Sequence, residues 1–438
     1  MKKYDFLSKN TIYFIGIGGI SMSGLAKMLN SNGKKVLGSD FKANKETKKL
    51  QKLGIKVFIG HNEKHITKDI DLVVYSGAIP KQNVEILKAK KLGIKTIERG
   101  KLLGLVAGDF ENVIAISGSH GKTTITAMIG HMFSSANLNP TIHLGGNSLN
   151  FNDNTIVGGN KYFIVEACEY RNSFKYLKPD IAIISNIEKE HLDFYKSFRR
   201  IKKAFKNFAK RSKVSVCGQD VEIKKSLKLG VNWSAENIKT VKDGYTFDIY
   251  KCGDKYISIK LNLMGKYNIY NCLFAVIVAD KYNIPKEIIS HSFSTFKGVE
   301  RRNEKIAKVD NCDIIIDYAH HPTEVKNSIE AFKERYEKIL FVFQPHTYTR
   351  TLTLFDEFIS VLKDVESLIL YKTYPAREKE IMGGRSIDIH NNLINSKYFD
   401  DLDIIQKYLE DNLYNYHAVV ILGAGDLAID IKNFFSNK

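Results

Sequence analysis

Short runs of β-branched and aromatic residues alternate with longer segments whose apolar positions recur at helical spacing, almost from one end of the chain to the other. A first block carries Tyr13-Phe14-Ile15, Val36-Leu37, Val57-Phe58-Ile59, Leu72-Val73-Val74-Tyr75 and Lys95-Thr96-Ile97. A second opens at Val113 and contains Phe163-Ile164-Val165 and Ile181-Ala182-Ile183-Ile184. A third begins near Cys312 with Ile314-Ile315-Ile316, then Leu340-Phe341-Val342-Phe343, Leu368-Ile369-Leu370-Tyr371 and Val419-Val420-Ile421-Leu422. Continuous apolar runs belong to strands covered on both faces, so the pattern predicts an α/β protein built mainly on parallel sheets. Thr246-Phe247-Asp248-Ile249-Tyr250 and Tyr256-Ile257-Ser258-Ile259 flank Cys252-Gly253-Asp254 and predict a small antiparallel appendage instead.

The strand that opens the second block runs into Ser117-Gly118-Ser119-His120-Gly121-Lys122-Thr123-Thr124. Small residues there let successive backbone N–H groups converge on phosphate oxygens, and the helix that follows presents its positive dipole end. Lys122 supplies a point charge for the β/γ-phosphates and Thr123 a hydroxyl for Mg²⁺, which makes an ATPase the expected chemistry. Ile116 stands where the usual nucleotide loop has its first glycine, so this is a shortened variant. The first block opens with Gly16-Ile17-Gly18-Gly19-Ile20-Ser21-Met22-Ser23-Gly24, followed after a second strand by Asp40 at the distance typical of a ribose-binding acid. Ser21 occupies the third glycine position of that pattern, and nothing in it demands nicotinamide. Ser76, after a later strand, falls where open sheets place ligand-binding loops.

Further carboxylates and imidazoles collect at strand ends. Glu166 and Glu169 follow a buried strand and are plausible magnesium ligands, and Glu188, Glu190, His191 and Asp193 cluster after another, making His191 a candidate second-metal ligand. Asn268 and Asn271 share one face of an expected helix, either as a cap and a polar position or against a base edge. Arg301 and Arg302 lie at a presumed domain junction, to reach phosphates or to pair with surface acids. Asp317-Tyr318-Ala319-His320-His321-Pro322-Thr323-Glu324 and Phe343-Gln344-Pro345-His346-Thr347-Tyr348-Thr349-Arg350 end two strands of the third block, which implies a shared cleft able to bind a carboxylate.

Length and composition narrow the picture. The 438 residues fit about three domains of ~150 residues, and 44% apolar content is ample for real cores. The expected architecture is an N-terminal Rossmann-like domain (1–108), a central P-loop ATPase-type domain with the appendage (109–302) and a C-terminal Rossmann-like doubly wound domain (303–438). No apolar stretch reaches the ~20 residues that span a bilayer. Lys2 and Lys3 before Ile12-Tyr13-Phe14-Ile15 imitate a signal peptide, but Gly16, Gly18 and Gly19 interrupt the apolar run. The five cysteines are scattered without a Cys-x-x-Cys pair, so a reduced, cytoplasmic setting is expected, with no disulfide framework. The net charge of +18 comes from dispersed lysines rather than a basic tail or finger motif, and is read as a solvated surface rather than a nucleic-acid site.

Taken together, these motifs resemble the Mur ligase family of bacterial cell-wall synthesis along nearly the whole chain. The resemblance rests on the Gly16-to-Gly24 and Gly118-to-Thr124 loops, Glu166-to-Tyr170, Asn186-to-Asp193, Gly265-to-Asn271, Gly298-to-Arg302, Asp317-to-Glu324, Phe343-to-Arg350 and Tyr374-to-Lys379. The Tyr-Ala-His-His-Pro-Thr-Glu and Phe-Gln-Pro-His runs point to its alanine-adding branch, with addition of a tripeptide or of another amino acid such as glycine or serine as the neighbouring alternative and a nucleic-acid-dependent ATPase as the rival of another class.

The resemblance implies ATP, two Mg²⁺ ions (Mn²⁺ as a substitute), UDP-N-acetylmuramate and L-alanine, a reaction through an acyl phosphate, and a monomer or weak homodimer. It further implies that Gly118 to Thr124, Asn268, Asn271, Arg302 and Asp317 bind ATP, with Thr123, Glu166 and His191 on the metals. Gly16, Gly18, Gly19, Ser21, Met22, Ser23, Asp40 and Ser76 would hold the UDP-sugar, and His321, His346 and Arg350 the amino acid. Lys122, His191, His320 and Arg350 would carry the catalysis. The chain departs from the family pattern at Tyr267, usually histidine, at Glu190, usually aspartate, and after Arg302, where the usual phenylalanine is missing.

Overall fold

The computed structural model describes residues 8–436, so Lys2 and Lys3 lie outside it, as does the side chain of Asp193. The first block forms a five-stranded parallel sheet from β1 (Thr11–Ile15), β2 (Lys35–Asp40), β3 (Lys56–Ile59), β4 (Leu72–Tyr75) and β5 (Lys95–Glu98), in the order β3-β2-β1-β4-β5. That order reverses between β1 and β4, so the loops after these two strands flank the crevice where such sheets bind ligands. All five residues of β1 are buried, as a central strand covered on both faces requires.

The second sheet has seven strands, β6 (Asn112–Ser117), β7 (Thr141–Ser148), β8 (Asp153–Ile156), β9 (Tyr162–Glu166), β10 (Ile181–Ile184), β11 (Val214–Cys217) and β12 (Leu227–Lys228), in the order β12-β11-β10-β6-β9-β7-β8. β6, which delivers the phosphate-type loop, lies between β9 and β10 in parallel register. The carboxyl ends of three adjacent strands therefore meet at one edge. The antiparallel β7–β8 hairpin has no counterpart in the expected strand runs; its polar, glycine-broken sequence, Thr141-Ile142-His143-Leu144-Gly145-Gly146-Asn147-Ser148, hides the period.

The appendage is a three-stranded sheet of β13 (Trp233–Val241), β14 (Gly244–Lys251) and β15 (Asp254–Leu261), one strand more than the sequence pattern suggests. The last sheet orders β16 (Glu304–Val309), β17 (Cys312–Asp317), β18 (Ile339–Phe343), β19 (Leu368–Tyr371), β20 (Ser396–Phe399) and β21 (Ala418–Leu422) as β16-β17-β21-β18-β19-β20. It is parallel except for the edge strand β16. Apolar clusters cover both its faces, one around Phe341, Phe343 and Phe358 and the other around Val342, Ile369 and Ile405.

By internal packing the chain divides into two compact units: one holds the residues up to Lys239 with Thr246–Leu261 and Tyr270–Lys297, the other Thr240–Tyr245, Asn262–Ile269 and the chain from Gly298 onward. Within the first unit the first and second sheets share a single hydrophobic core, in which Leu25, Leu102, Leu103 and Val106 join Phe163, Phe174 and Phe205. A polar seam accompanies it. Lys27, 5% exposed, reaches Asp153 at 2.5 Å and Asn154 at 3.1 Å, with Glu46 at 3.5 Å. A buried ammonium is tolerated only with such partners.

Candidate active site

In the second sheet the loop after β6 is built to leave no room for side chains. Gly118 and Gly121 take φ of +140° and +83°, and a Cβ at Gly118 would collide with Ser185 Oγ, while one at Gly121 would lie 2.7 Å from Asn271 Oδ1. The segment after β10 clamps the loop's backbone: Asn186 Oδ1 accepts from His120 N at 2.8 Å, Asn186 O from Ser119 N at 3.1 Å, and Ser119 Oγ from Glu188 N at 2.9 Å. His120 also lies 3.3 Å from the Glu188 carboxylate. Thr124 turns inward and is buried.

Lys122 opens helix Lys122–Ser135, and its ammonium donates to Gly118 O at 2.5 Å, Ser119 O at 3.0 Å and Glu169 Oε1 at 3.1 Å. Burial by itself would lower its pKa, but Glu169 and the neighbouring Cys168, Glu166 and Glu190 push it above the usual lysine range. Conversely, burial would raise Glu169, yet Lys122 and His191 hold it down at about 2. Thr123 Oγ1 donates to Glu166 Oε2 at 2.7 Å, and Gly145 N donates to the same oxygen at 2.9 Å.

His191 lies 3.5 Å from Glu169 Oε1, and one ligand atom each from Glu169, Glu190 and His191 lie within 4.8 Å of one another. The second oxygen of Glu169 is buried without a hydrogen-bond partner. An orphaned carboxylate oxygen beside a carboxylate and an imidazole is the donor set expected for a divalent cation. Thr123 with Glu166 supplies a second, all-oxygen pair suited to Mg²⁺. The strand-end pattern pairs Glu169 with Glu166 as magnesium ligands, while the resemblance implies Thr123, Glu166 and His191; the structure sets Glu169 beside Lys122 and His191.

The loop after β1 is different in character. Gly16 adopts φ +80°, and Gly18 N donates to Asp40 Oδ2 at 2.8 Å while Asn44 Nδ2 donates to Gly18 O at 3.2 Å. Gly19 precedes the helix Ile20–Ser31 as its N-cap. Asp40 is thus a brace for the loop. Met22 is buried in the shared core, and the Ser23 hydroxyl, fully buried, donates to Ile20 O at 2.8 Å. They begin an unbroken buried run, Met22 to Leu29, in a helix covered on all sides, so both side chains are enclosed. Ser76 Oγ accepts from Ala78 N at 3.3 Å in the loop after β4.

In the other unit, the loop after β17 carries Asp317, whose two oxygens accept from Asn303 N at 2.8 Å and Ala319 N at 2.7 Å. Burial outweighs the nearby Arg302 and raises its pKa to about 6. Arg302 Nη1 lies 3.1 Å from Glu324 Oε1, and Arg301 and Arg302 both lie over the Tyr318 ring, at 4.8 and 5.1 Å from its centroid. His320 Nδ1 is 2.8 Å from Tyr318 O, and its ring is 5.8 Å from that of His346. Arg350 Nη1 sits 3.2 Å from both His346 Nδ1 and His346 O. Burial, with Arg350 nearby, drives His346 down to about 4 and His320 well below its ordinary value, so both rings are neutral.

The loops after β17 and β18 therefore bring His320, His346 and Arg350 together, as two strand-end loops of one sheet should. His321 is the N-cap of helix Pro322–Lys333, accepting from Thr323 N. Asn268 donates to Met264 O at 2.7 Å, and Tyr267 accepts at its hydroxyl from Asn303 Nδ2 at 2.7 Å, so the tyrosine that replaces the usual histidine ties the helix start to the Asn303 loop.

Three segments of the chain match the models of Mur ligase domains: residues 11–111 the family's catalytic domain, 116–279 its middle domain and 301–425 its glutamate ligase domain. The chain belongs to the Mur ligase family of ATP-dependent amide ligases. It is 40% identical to the UDP-N-acetylmuramate–L-alanine ligase of Clostridium novyi over 97% of each chain. Among solved structures it resembles the UDP-N-acetylmuramate-alanine ligase MurC of Thermotoga maritima, with a TM-score of 0.85 at 26% identity over 98% of this chain and 100% of that one. The murein peptide ligase of Psychrobacter arcticus shares the fold, with a TM-score of 0.73 at 21% identity over 97% and 98%. Among the described residues no helix is long and apolar enough to cross a membrane.

Proposed function

We propose that this chain joins L-alanine to the lactyl carboxylate of UDP-N-acetylmuramate at the expense of ATP, giving UDP-N-acetylmuramoyl-L-alanine, ADP and phosphate. The observation that carries this is the full-length identity to relatives named for that reaction, combined with the Lys122–Glu169–His191 cluster. In this reading residues 1–108 hold the sugar nucleotide, 109–302 hold ATP and 303–438 present the amino acid.

A carboxylate oxygen of the sugar nucleotide attacks the γ-phosphorus of ATP, the bond to the β-phosphate oxygen breaks, and an acyl phosphate forms. Lys122 swings from its loop carbonyls onto the transferring phosphoryl group, while Gly118 to Thr124 cradle the β-phosphate with backbone N–H groups. Thr123, Glu166, Glu169, Glu190 and His191 are the residues that hold Mg²⁺, two ions with Mn²⁺ as a substitute, which neutralises charge on the phosphates when bound. Asn268, Asn271, Arg302 and Asp317 complete the ATP site. The amine of L-alanine then attacks the acyl carbon and phosphate leaves. Arg350 pairs with the alanine carboxylate, aided by His346 and His321, while neutral His320 is positioned to take the proton the amine gives up. Gly16, Gly18, Gly19, Ser21, Asp40, Ser76 and the backbones of Met22 and Ser23 border the sugar nucleotide. The enzyme works in the cytoplasm as a monomer or weak homodimer.

Phosphate release from ATP and Mg²⁺ with UDP-N-acetylmuramate, adding L-alanine, glycine, L-serine or a tripeptide singly, tests this. L-alanine gives the highest kcat/KM and the product gains its mass. Release that needs neither sugar nucleotide nor amino acid but responds to nucleic acid would overturn the reading.

A further inference from the structure

The first nucleotide loop contains a polar chain that reaches into the neighbouring sheet. Ser21, standing where the glycine pattern would have its third glycine, is the second residue of helix Ile20–Ser31. Arg99 Nη1 donates to Ser21 Oγ at 2.9 Å, and Ser21 Oγ lies 2.7 Å from His143 Nε2 on β7. His143 Nδ1 in turn is 3.1 Å from Thr155 Oγ1 on β8.

The proton positions in this chain follow from its chemistry. A guanidinium has no acceptor, so Ser21 Oγ accepts from Arg99 and has its own hydrogen to give. His143 is 1% exposed, and burial, with Arg99 and Lys27 nearby, lowers its pKa to about 3. The ring is neutral, so Nε2 takes the Ser21 hydrogen and Nδ1–H donates to Thr155. The ordering Arg99 to Ser21 to His143 to Thr155 satisfies every group.

Local stability does not account for Arg99. It is the first residue of helix Arg99–Ala107, where the macrodipole disfavours a cation, and among the described residues no carboxylate is ion-paired with it. Ser21 occupies one of its five N–H donors. Arg99 is half-exposed and directly follows β5, at the carboxyl edge of the parallel sheet where the crevice opens.

We propose that Ser21 and His143 are positioning residues that fix the Arg99 guanidinium at the first nucleotide loop, and that Arg99 binds an oxyanion of the sugar nucleotide. This rests on the proposed function, which places that ligand on the first sheet. It extends it by naming a cation that the loop itself lacks and the two residues that aim it.

The test measures equilibrium binding of UDP-N-acetylmuramate, of UDP-N-acetylglucosamine and of an ATP analogue to the full chain by calorimetry, for wild type, Ser21→Ala, Arg99→Gln, their double variant and His143→Gln. A lost hydrogen bond to a charged group is worth about tenfold in affinity. Ser21→Ala and His143→Gln are expected to weaken the sugar nucleotide about tenfold and Arg99→Gln about a hundredfold, with the ATP analogue moved less than twofold. The double variant is expected to bind no worse than Arg99→Gln alone, because Ser21 acts through Arg99. If Arg99→Gln weakens both sugar nucleotides the oxyanion is the diphosphate; if only UDP-N-acetylmuramate, it is the lactyl carboxylate. Additive losses, or Ser21→Ala binding as wild type does, would overturn the positioning role. Gly24 packs so closely that a Cβ there would lie 2.7 Å from the His143 ring, so His143→Gln carries a folding risk, and the Ser21 and Arg99 cycle decides alone if it unfolds. Wild-type protein that bound neither sugar nucleotide would sink the proposed function instead.

Discussion

Two strand–glycine loop–helix turns lie in the same compact unit, and they distribute charge in opposite ways. The turn after β6 carries its own cation: Lys122 is held by two loop carbonyls and by Glu169, in a nest of carboxylates that includes Glu166 and Glu190. The turn after β1 carries none and spends the Gly18 N–H on the carboxylate of Asp40, and Arg99, from another helix, reaches the Ser21 hydroxyl beside it. Under the proposed function the first loop only holds an anion that does not react, for which backbone dipoles and one imported donor suffice. A loop at which phosphoryl charge is redistributed needs a mobile cation, and acids to hold that cation and metal in register.

The sharpest way to break this contrast is Lys122→Ala. Turnover is expected to fall by at least about a thousandfold, while sugar-nucleotide affinity stays within about twofold. Loss of both would mean the two loops do not serve separate ligands.

Acid titration comes next. Glu169 is held near 2 against an ordinary 4.5, so the stability it confers is fully present above pH 4.5 and is lost as the pH falls toward 2. The unfolding free energy of wild type from urea titrations is expected to drop by a few kcal/mol across that window, and Glu169→Gln to remove most of the slope. An unchanged slope would show that Lys122 does not depend on Glu169.

Arg350→Ala is a control in the other unit. It is expected to raise the KM for L-alanine about a hundredfold and that for ATP by less than twofold; equal effects would move Arg350 to the phosphoryl-transfer site. Gly18→Ala is the mildest. Its Cβ would lie 2.7 Å from Asn44 Nδ2 and from Thr47 Cγ2, so the KM for the sugar nucleotide is expected to rise about tenfold, with the KM for ATP unmoved.

Much of this was legible because strand ends are written locally. The apolar runs mark the parallel strands, and Lys122, Thr123 and Glu166 sit at strand ends whose adjacency follows from the parallel order. What was not legible depends on direction and distance. Nothing in the sequence says that Met22 and Ser23 are enclosed, since the helix is buried on every face from Met22 to Leu29 by elements distant in the chain. The Ser21–His143 contact spans 122 residues and depends on a hairpin whose glycines conceal it. Edge strand β16, with Glu304, Lys305 and Lys308 among its residues, has the charged composition of an exposed edge and reads as loop.

The shared core of the first two sheets has a further consequence for how the molecule comes apart. Leu102, Leu103 and Val106 close the first sequence block, yet their partners are Phe163, Phe174 and neighbours far along the second. A fragment ending at residue 108 would leave that apolar face to water and, in place of a soluble module, give a sticky intermediate. Amide hydrogen exchange should accordingly show β1 and β6 opening together, as a single cooperative foldon, whichever nucleotide is bound.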